Sequence, residues 1–335
     1  MKEAMLWTAK DGVAICGLCA HRCRVAEGER GLCGVRINQE GTLYSLVYGK
    51  LISAAVDPIE KKPLFNFLPG TMSYSIATAG CNFFCDFCQN WQISQITHDG
   101  GGVIGQDVKP GEVVEEAVAQ RCASIAYTYT EPTIFFEFAY DTALLAHKAG
   151  LKNIFVTNGY QTPETVQKMA GVIDAANVDL KSFSDQFYRD RCKARLAPVL
   201  KAIEAMHESG IFLEITTLIV PGENDSLDEL RQIAGFIASV SPQIPWHVSR
   251  FHPQYKQSGK DWTPSDVIFE ALRIGEEAGL EYLYAGNLPG DKYENTYCPG
   301  CGATLIVRSG FSSKSGGLSG NKCLACGFEA NVVIK

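Results

Sequence analysis

The chain has 335 residues, 46% hydrophobic and 20% charged, which are globular values that exclude collagen, coiled coil and intrinsic disorder. A net charge of −7, from 37 acidic and 30 basic residues, argues against general nucleic-acid binding. The unusual count is 13 cysteines. The N-terminus, MKEAMLWTAKDG, lacks the apolar core of a secretory signal, and no run reaches the roughly 18 apolar residues of a membrane helix. The expected compartment is the cytoplasm, where disulfides do not persist and so many cysteines point to metal or redox chemistry.

In chain order, residues 12–36 come first: GVAICGLCAHRCRVAEGERGLCGVR. The segment is Gly-rich, basic and too small for a core of its own, so it calls for a metal staple. Cys16, Cys19, Cys23 and Cys33 suit a structural Zn²⁺, which is slightly favoured, or a second iron–sulfur cluster, with His21 an alternative ligand. A βα series follows. Strands are expected near 74–79, 124–129, 153–157, 177–180, 212–219 and 246–249, and helices near 111–121, 135–149, 163–170, 198–209, 226–240 and 264–278. Turn signals such as Gly150, Asn158-Gly159 and Pro221-Gly222 separate them. Six alternating units predict an α/β fold with a parallel sheet and right-handed crossovers, which a doubly wound sheet or a partial barrel would satisfy.

Last come Cys298, Cys301, Cys323 and Cys326, in CPGC and CLAC knuckles. Their spacing resembles a zinc ribbon or a rubredoxin-like site, with Gly302 and Gly327 allowing the tight turn after each knuckle. Residues 309–320, rich in Ser and Gly, read as a flexible loop between the knuckles. All four positions are filled by protein, so Zn²⁺, or a single iron, would be structural or serve docking. The implied domains are 1–45, 46–290 and 291–335. Cys122 and Cys192 stand outside every pattern, Cys122 as a buried small residue and Cys192 among basic neighbours.

The sharpest signal is CNFFCDFC, with Cys81, Cys85 and Cys88 on a loop after the first strand of the series. Three thiolates can hold three irons of a [4Fe–4S] cubane and leave the fourth open to a small molecule. The alternative is a structural zinc site completed by a distant residue. The C-x3-C-x2-C spacing, with Phe87 before the last cysteine, resembles the radical S-adenosylmethionine (radical SAM) superfamily. That resemblance implies a partial (β/α)6 barrel, SAM on the open iron, and reductive cleavage to a 5′-deoxyadenosyl radical that abstracts hydrogen from a substrate. In a barrel of this kind the site lies at the C-terminal ends of the strands.

Other segments extend the resemblance. In YTYTEPT, Thr130 and Glu131 stand where the superfamily has Gly-Gly-Glu, whose acid meets the SAM ammonium; the two glycines are replaced by Tyr129 and Thr130. Thr157-Asn158-Gly159, Asp179-Leu180-Lys181, Asn90 and His252 resemble segments of the glycyl-radical-enzyme activases, such as pyruvate formate-lyase activating enzyme. Those enzymes have an acid before Thr-Asn-Gly, near a bound cation, where this chain has Val156. With both flanks included, the pattern is similar to the radical SAM proteins of the AmmeMemoRadiSam system. This implies Memo-type and Ammecr-type proteins as partners, beside a flavodoxin- or ferredoxin-type electron donor and a small-molecule or protein substrate. Two other readings stand beside it: a glycyl-radical activase, whose substrate is a glycine Cα of a partner enzyme, and a non-catalytic iron–sulfur or zinc module.

Overall fold

The computed structural model describes residues 1–288, 290 and 292–334. At its centre is an eight-stranded sheet: β1 (Ser53–Pro58), β2 (Met72–Ala77), β3 (Ser124–Tyr127), β4 (Lys152–Thr157), β5 (Ala175–Asp179), β6 (Phe212–Ile219), β7 (Trp246–Arg250) and β8 (Leu283–Gly286). Strands β2 to β8 run parallel, and β1 pairs antiparallel with β2 at one edge. β3 is buried at every position, as befits a parallel strand covered on both faces.

Helices α1 (Pro110–Ala119), α2 (Phe136–Lys148), α3 (Pro163–Met169), α4 (Leu196–Glu208), α5 (Leu227–Val240) and α6 (Ser265–Glu277) form the crossovers. Their starts are encoded locally. Thr162 and Ser226 each accept a hydrogen bond from a backbone N–H of the first turn, and Pro163 takes the first helical position of α3. Leu196, Val199, Ala202, Ile203 and Met206 give α4 one buried stripe.

Spatial strand order follows chain order from β8 to β1 with no reversal. A doubly wound sheet would reverse at a switch point; this sheet winds in one sense. Its edge strands are not bonded to each other, so the result is the expected open barrel. The sheet has one parallel strand more than the six expected. That strand, β8, is only Leu-Tyr-Ala-Gly, too short to carry a period-2 signal.

The two flanks dock at opposite ends of the barrel. The N-terminal region forms two small antiparallel sheets. Its cysteine loop packs on the segments after the C-terminal ends of the strands: Ala20 N donates to Tyr160 O at 2.9 Å and Thr162 Oγ1 to Gly17 O at 2.7 Å. Cys16, Leu18, Val25 and Cys33 belong to the same apolar core as the barrel. The C-terminal region has its own small core of Cys298, Leu305, Ile306, Cys323, Ala330 and Val332. It sits at the strands' N-terminal ends, where Leu68 N donates to Val333 O at 2.8 Å and Arg308 reaches Phe65 O.

The loop expected at 309–320 is largely a hairpin. Thr304–Ser309 pairs with Ser312–Lys314 in the register Ser309↔Ser312, turning at Gly310-Phe311 with Gly310 at φ 59°. A two-residue turn with left-handed glycine explains it; Ser and Gly content concealed the pairing. The boundary expected at 290/291 adjoins Pro289 and Asp291, which lie outside the described residues.

Candidate active site and flanking metal centres

Cys81, Cys85 and Cys88 follow β2 and are enclosed by the loops after the other strands. The Cys85 sulfur lies 3.6 Å from that of Cys192, a residue the sequence left without a role. This contact, with the Lys181 ammonium nearby, draws the Cys85 thiol below its ordinary value despite burial. Burial pushes Cys81 and Cys88 up, and the Glu131 charge adds to the effect at Cys81. Burial alone would lower Lys181, but Asp179, 2.8 Å from its ammonium, and the two nearby sulfurs hold it well above its usual range. The Lys181 ammonium also stands 5.9 Å from the Phe87 ring. The structure therefore brings Phe87, Asp179, Lys181 and Cys85 to one place.

The cysteine loop is braced from several sides. Asp86 accepts from Arg191 at 2.9 Å and Gln257 at 2.7 Å, and Arg191 also pairs with Glu223. Cys88 Sγ lies 3.1 Å from Ser94 Oγ. Gln89 hydrogen-bonds His252 Nδ1 at 3.3 Å, which brings the sixth-strand histidine of the sequence reading to this loop.

Glu131 is fully buried. Its carboxylate accepts from Thr133 N at 3.0 Å, Thr133 Oγ1 at 2.5 Å, Thr157 Oγ1 at 2.8 Å and Asn158 N at 2.8 Å. Burial pushes the carboxyl up, against the pull of these donors. Asn158 Nδ2 in turn donates to Asn82 Oδ1 at 2.8 Å, one residue from Cys81. One chain of bonds thus links Glu131, Thr157, Asn158 and the cysteine loop. Tyr129, at φ 63°, turns the chain so that Thr130 bonds Thr78 O at 2.9 Å. Asn90 starts the short helix Trp91–Ser94; its side chain is exposed and makes no cap bond. Cys192, Asn82, Gln89 and Arg191 are the parts sequence reasoning missed. Cys85 and Cys192 are 107 residues apart, so no local spacing could pair them.

The two flanking cysteine sets differ in geometry. In the C-terminal set, all four sulfurs lie within 4.8 Å of one another, with Cys298–Cys326 at 3.6 Å and Cys301–Cys323 at 3.8 Å. Gly302 N donates to Cys298 O and Gly327 N to Cys323 O, both at 2.8 Å, closing the two expected knuckle turns at φ 73° and 77°. A tetrahedron of Zn–S bonds has sulfur edges of about 3.8 Å, which these distances match. The N-terminal four instead line one small cavity, together with Arg36 and Asn82. His21 lines the same cavity, with its Nε2 2.8 Å from Asn82 O.

The three central sulfurs, among the described residues, do not converge within 4.8 Å as the ribbon sulfurs do. Three soft thiolate donors that do not converge on one point fit a cubane, in which each binds a different iron. A family model of the radical SAM superfamily matches residues 75–237, the span that carries Cys81, Cys85, Cys88, Glu131, Asn158 and Lys181. The chain belongs to the radical SAM superfamily. Membership implies a [4Fe–4S] cluster and SAM as cofactors, and makes the chain a radical SAM enzyme that uses a reductant and a substrate.

Other comparisons agree. The chain is 44% identical over 338 residues to an uncharacterised protein of Methanocaldococcus jannaschii, covering 100% of both. It is 23% identical over 205 residues to benzylsuccinate synthase activating enzyme of Thauera aromatica, covering 55% of this chain and 62% of that one. Its fold resembles a radical SAM methyltransferase of Sphaerobacter thermophilus with a TM-score of 0.51 at 15% identity, covering 65% of this radical SAM chain and 67% of the other. Among the described residues, no helix is long and apolar enough to cross a membrane.

Proposed function

We propose that Cys81, Cys85 and Cys88 hold the catalytic [4Fe–4S] cluster and that the surrounding strand ends bind SAM. When bound, this pair supplies a 5′-deoxyadenosyl radical through one-electron reduction of the sulfonium. The observation that carries the reading is the bonded chain Glu131–Asn158–Asn82, which ties the strand-end loops to the cysteine loop. Glu131 spends its oxygens on five protein donors, Gln161 Nε2 among them, which supports a role in setting the SAM subsite through Thr157 and Asn158 as well as through its own charge. Lys181 places a cation beside the Cys85 thiolate, and Asp179 keeps that cation in position. Thr130, Asn90 and His252 complete the lining at the strand ends. Burial of Phe83 and Phe87 excludes water from the reacting centre.

The anaerobically reconstituted protein with a strong reductant is expected to form 5′-deoxyadenosine from SAM. Cys85→Ala is expected to abolish it, and normal turnover by that variant would end the assignment. Deuterium transfer from candidate substrates into 5′-deoxyadenosine would identify the substrate class.

The likeness to benzylsuccinate synthase activating enzyme favours a second reading, in which the substrate is a glycine Cα of a partner enzyme. Glycyl-radical EPR after incubation with such a partner is the measurement. Memo-type and Ammecr-type partners rest on motif resemblance and are candidates for co-purification. A cytoplasmic location and the division at 1–45, 46–290 and 291–335 belong to the same proposal. So does a structural Zn²⁺ held by Cys298, Cys301, Cys323 and Cys326.

A further inference from the structure

We infer that Cys16, Cys19, Cys23 and Cys33 hold a second [4Fe–4S] cluster, closed by protein ligands and adjacent to the catalytic one. Three observations converge on this. The first is sulfur spacing. A single tetrahedral zinc requires sulfur edges of about 3.8 Å, and the C-terminal ribbon of this same chain provides them. Among the described residues, no three of the N-terminal thiols have their sulfurs within 4.8 Å of one another. The four nevertheless line one cavity, as ligands to separate irons of a single cluster would. A cubane gives each thiolate its own iron and fills the space between them with sulfide.

The second observation is an unpaired donor. Asn82 lines this cavity and is 1% exposed. Its Oδ1 accepts from Asn158, but its Nδ2 has no acceptor among the described residues. Leaving a buried amide N–H without a partner is destabilising, so an acceptor is expected there. Cluster sulfide and thiolate sulfur accept such N–H bonds, and the hydrogen bonds tune the cluster's potential. The third observation is charge. The buried Arg36 lines the same cavity, and although Glu137 pairs its guanidinium at 2.7 Å, it keeps a cation at the edge of a site where four thiolates would make a cluster net anionic.

Position suggests the task. With four protein ligands there is no open iron, so the cluster carries electrons rather than substrate. Asn82 forms part of the cavity wall and directly follows Cys81, so the two centres share a residue between them. One electron from a flavodoxin- or ferredoxin-type donor reduces the N-terminal cluster from the 2+ to the 1+ state. The same electron would then pass to the catalytic cluster, taking it from 2+ to 1+ and returning the N-terminal cluster to 2+. This role rests on the proposed SAM chemistry; the identity of the N-terminal group does not.

The test uses the full-length chain carrying Cys81→Ala, Cys85→Ala and Cys88→Ala together, reconstituted anaerobically. It is expected to retain about four iron and four sulfide per chain and to give the EPR signal of a reduced cubane. Iron near zero with a second zinc would overturn the inference, as would a content of about two irons. Cys16→Ser with Cys33→Ser is the complement. It is expected to keep the catalytic cluster and to cleave SAM with dithionite, but to lose cleavage driven by the protein donor. Equal rates relative to the parent with both reductants would overturn the relay. If the parent shows two clusters but no SAM cleavage, the proposed function fails and the second cluster stands.

Discussion

The two flanks of this chain each carry four cysteines, yet they differ in geometry and in the end of the barrel they occupy. The C-terminal set folds around its own small core, keeps two of its cysteines exposed and brings its sulfurs to 3.6 and 3.8 Å. It lies at the N-terminal ends of the strands, the face where barrels invest in stability. The N-terminal set shares the barrel's core, spreads its sulfurs around a cavity and lies against the loops at the catalytic end. Equal ligand counts therefore do not imply equal function. The distance between sulfurs, and the end of the barrel on which they sit, are what distinguish the proposed staple from the proposed working centre.

The largest expected effect breaks the ribbon. Structural zinc contributes on the order of 10 kcal/mol or more to folding of its site. Cys298→Ser with Cys323→Ser should therefore unfold the segment after residue 295. Limited proteolysis should cut there and leave the barrel intact, and 5′-deoxyadenosine formation should persist. Loss of that activity would give the ribbon a catalytic role and erase the contrast.

A second effect lies at the other flank. Arg36 and Glu137 form a buried ion pair at 2.7 Å, and Glu137 also accepts from Met5 N at 2.6 Å. Glu137→Ala leaves the guanidinium buried and unpaired, which costs about 3–5 kcal/mol. Thermal denaturation should show a lowered main transition, because this flank shares the barrel's core. Arg36→Met with Glu137→Leu should recover most of the loss, since a buried pair is replaceable by apolar packing. An unchanged main transition in Glu137→Ala would mean that this flank melts independently, as the ribbon is expected to.

These effects show what the sequence could and could not carry. The alternating units and the CNFFCDFC loop after a strand were legible, because strand ends, caps such as Ser226 and the cysteine run are local signals; the winding of the sheet was not, since the same units fit a doubly wound sheet and only the family resemblance implied the barrel. The ribbon was legible too, since its knuckles are three-residue turns closed by Gly302 and Gly327. The opposite docking of the two flanks was not legible. It depends on contacts such as Thr162 to Gly17 and Leu68 to Val333, which join residues 145 and more apart. Cys192 was hidden for the same reason. Its thiol beside Cys85 becomes visible only when the loop after β5 folds over the cysteine loop.

Smaller effects refine the comparison. Asn82→Ala removes one amide donor from the N-terminal cavity and the bond to Asn158. It should cost about 1–3 kcal/mol and shift the potential of the N-terminal cluster, read by redox titration. An unchanged potential would remove Asn82 from that centre.

The smallest effect concerns pH at β1, just before the segment on which the ribbon docks. Burial pushes the Asp57 carboxyl up, but hydrogen bonds from Lys61, Lys62 and Tyr129 hold it well below the usual carboxylate range. Such a group stabilises the fold above its unfolded pKa of about 4, and the contribution is lost as pH falls through the lower folded value. The melting-temperature gap between the parent and Asp57→Asn should therefore be widest near neutrality and close in acid. A gap that stays constant with pH would show that Asp57 acts by packing rather than charge.

The central contrast is tested most directly by iron, sulfide and zinc content per chain after anaerobic reconstitution of the full-length protein. The account predicts about eight iron, about eight sulfide and about one zinc, from two cubanes and one ribbon. About four iron with about two zinc would contradict it, making both flanks staples of one kind.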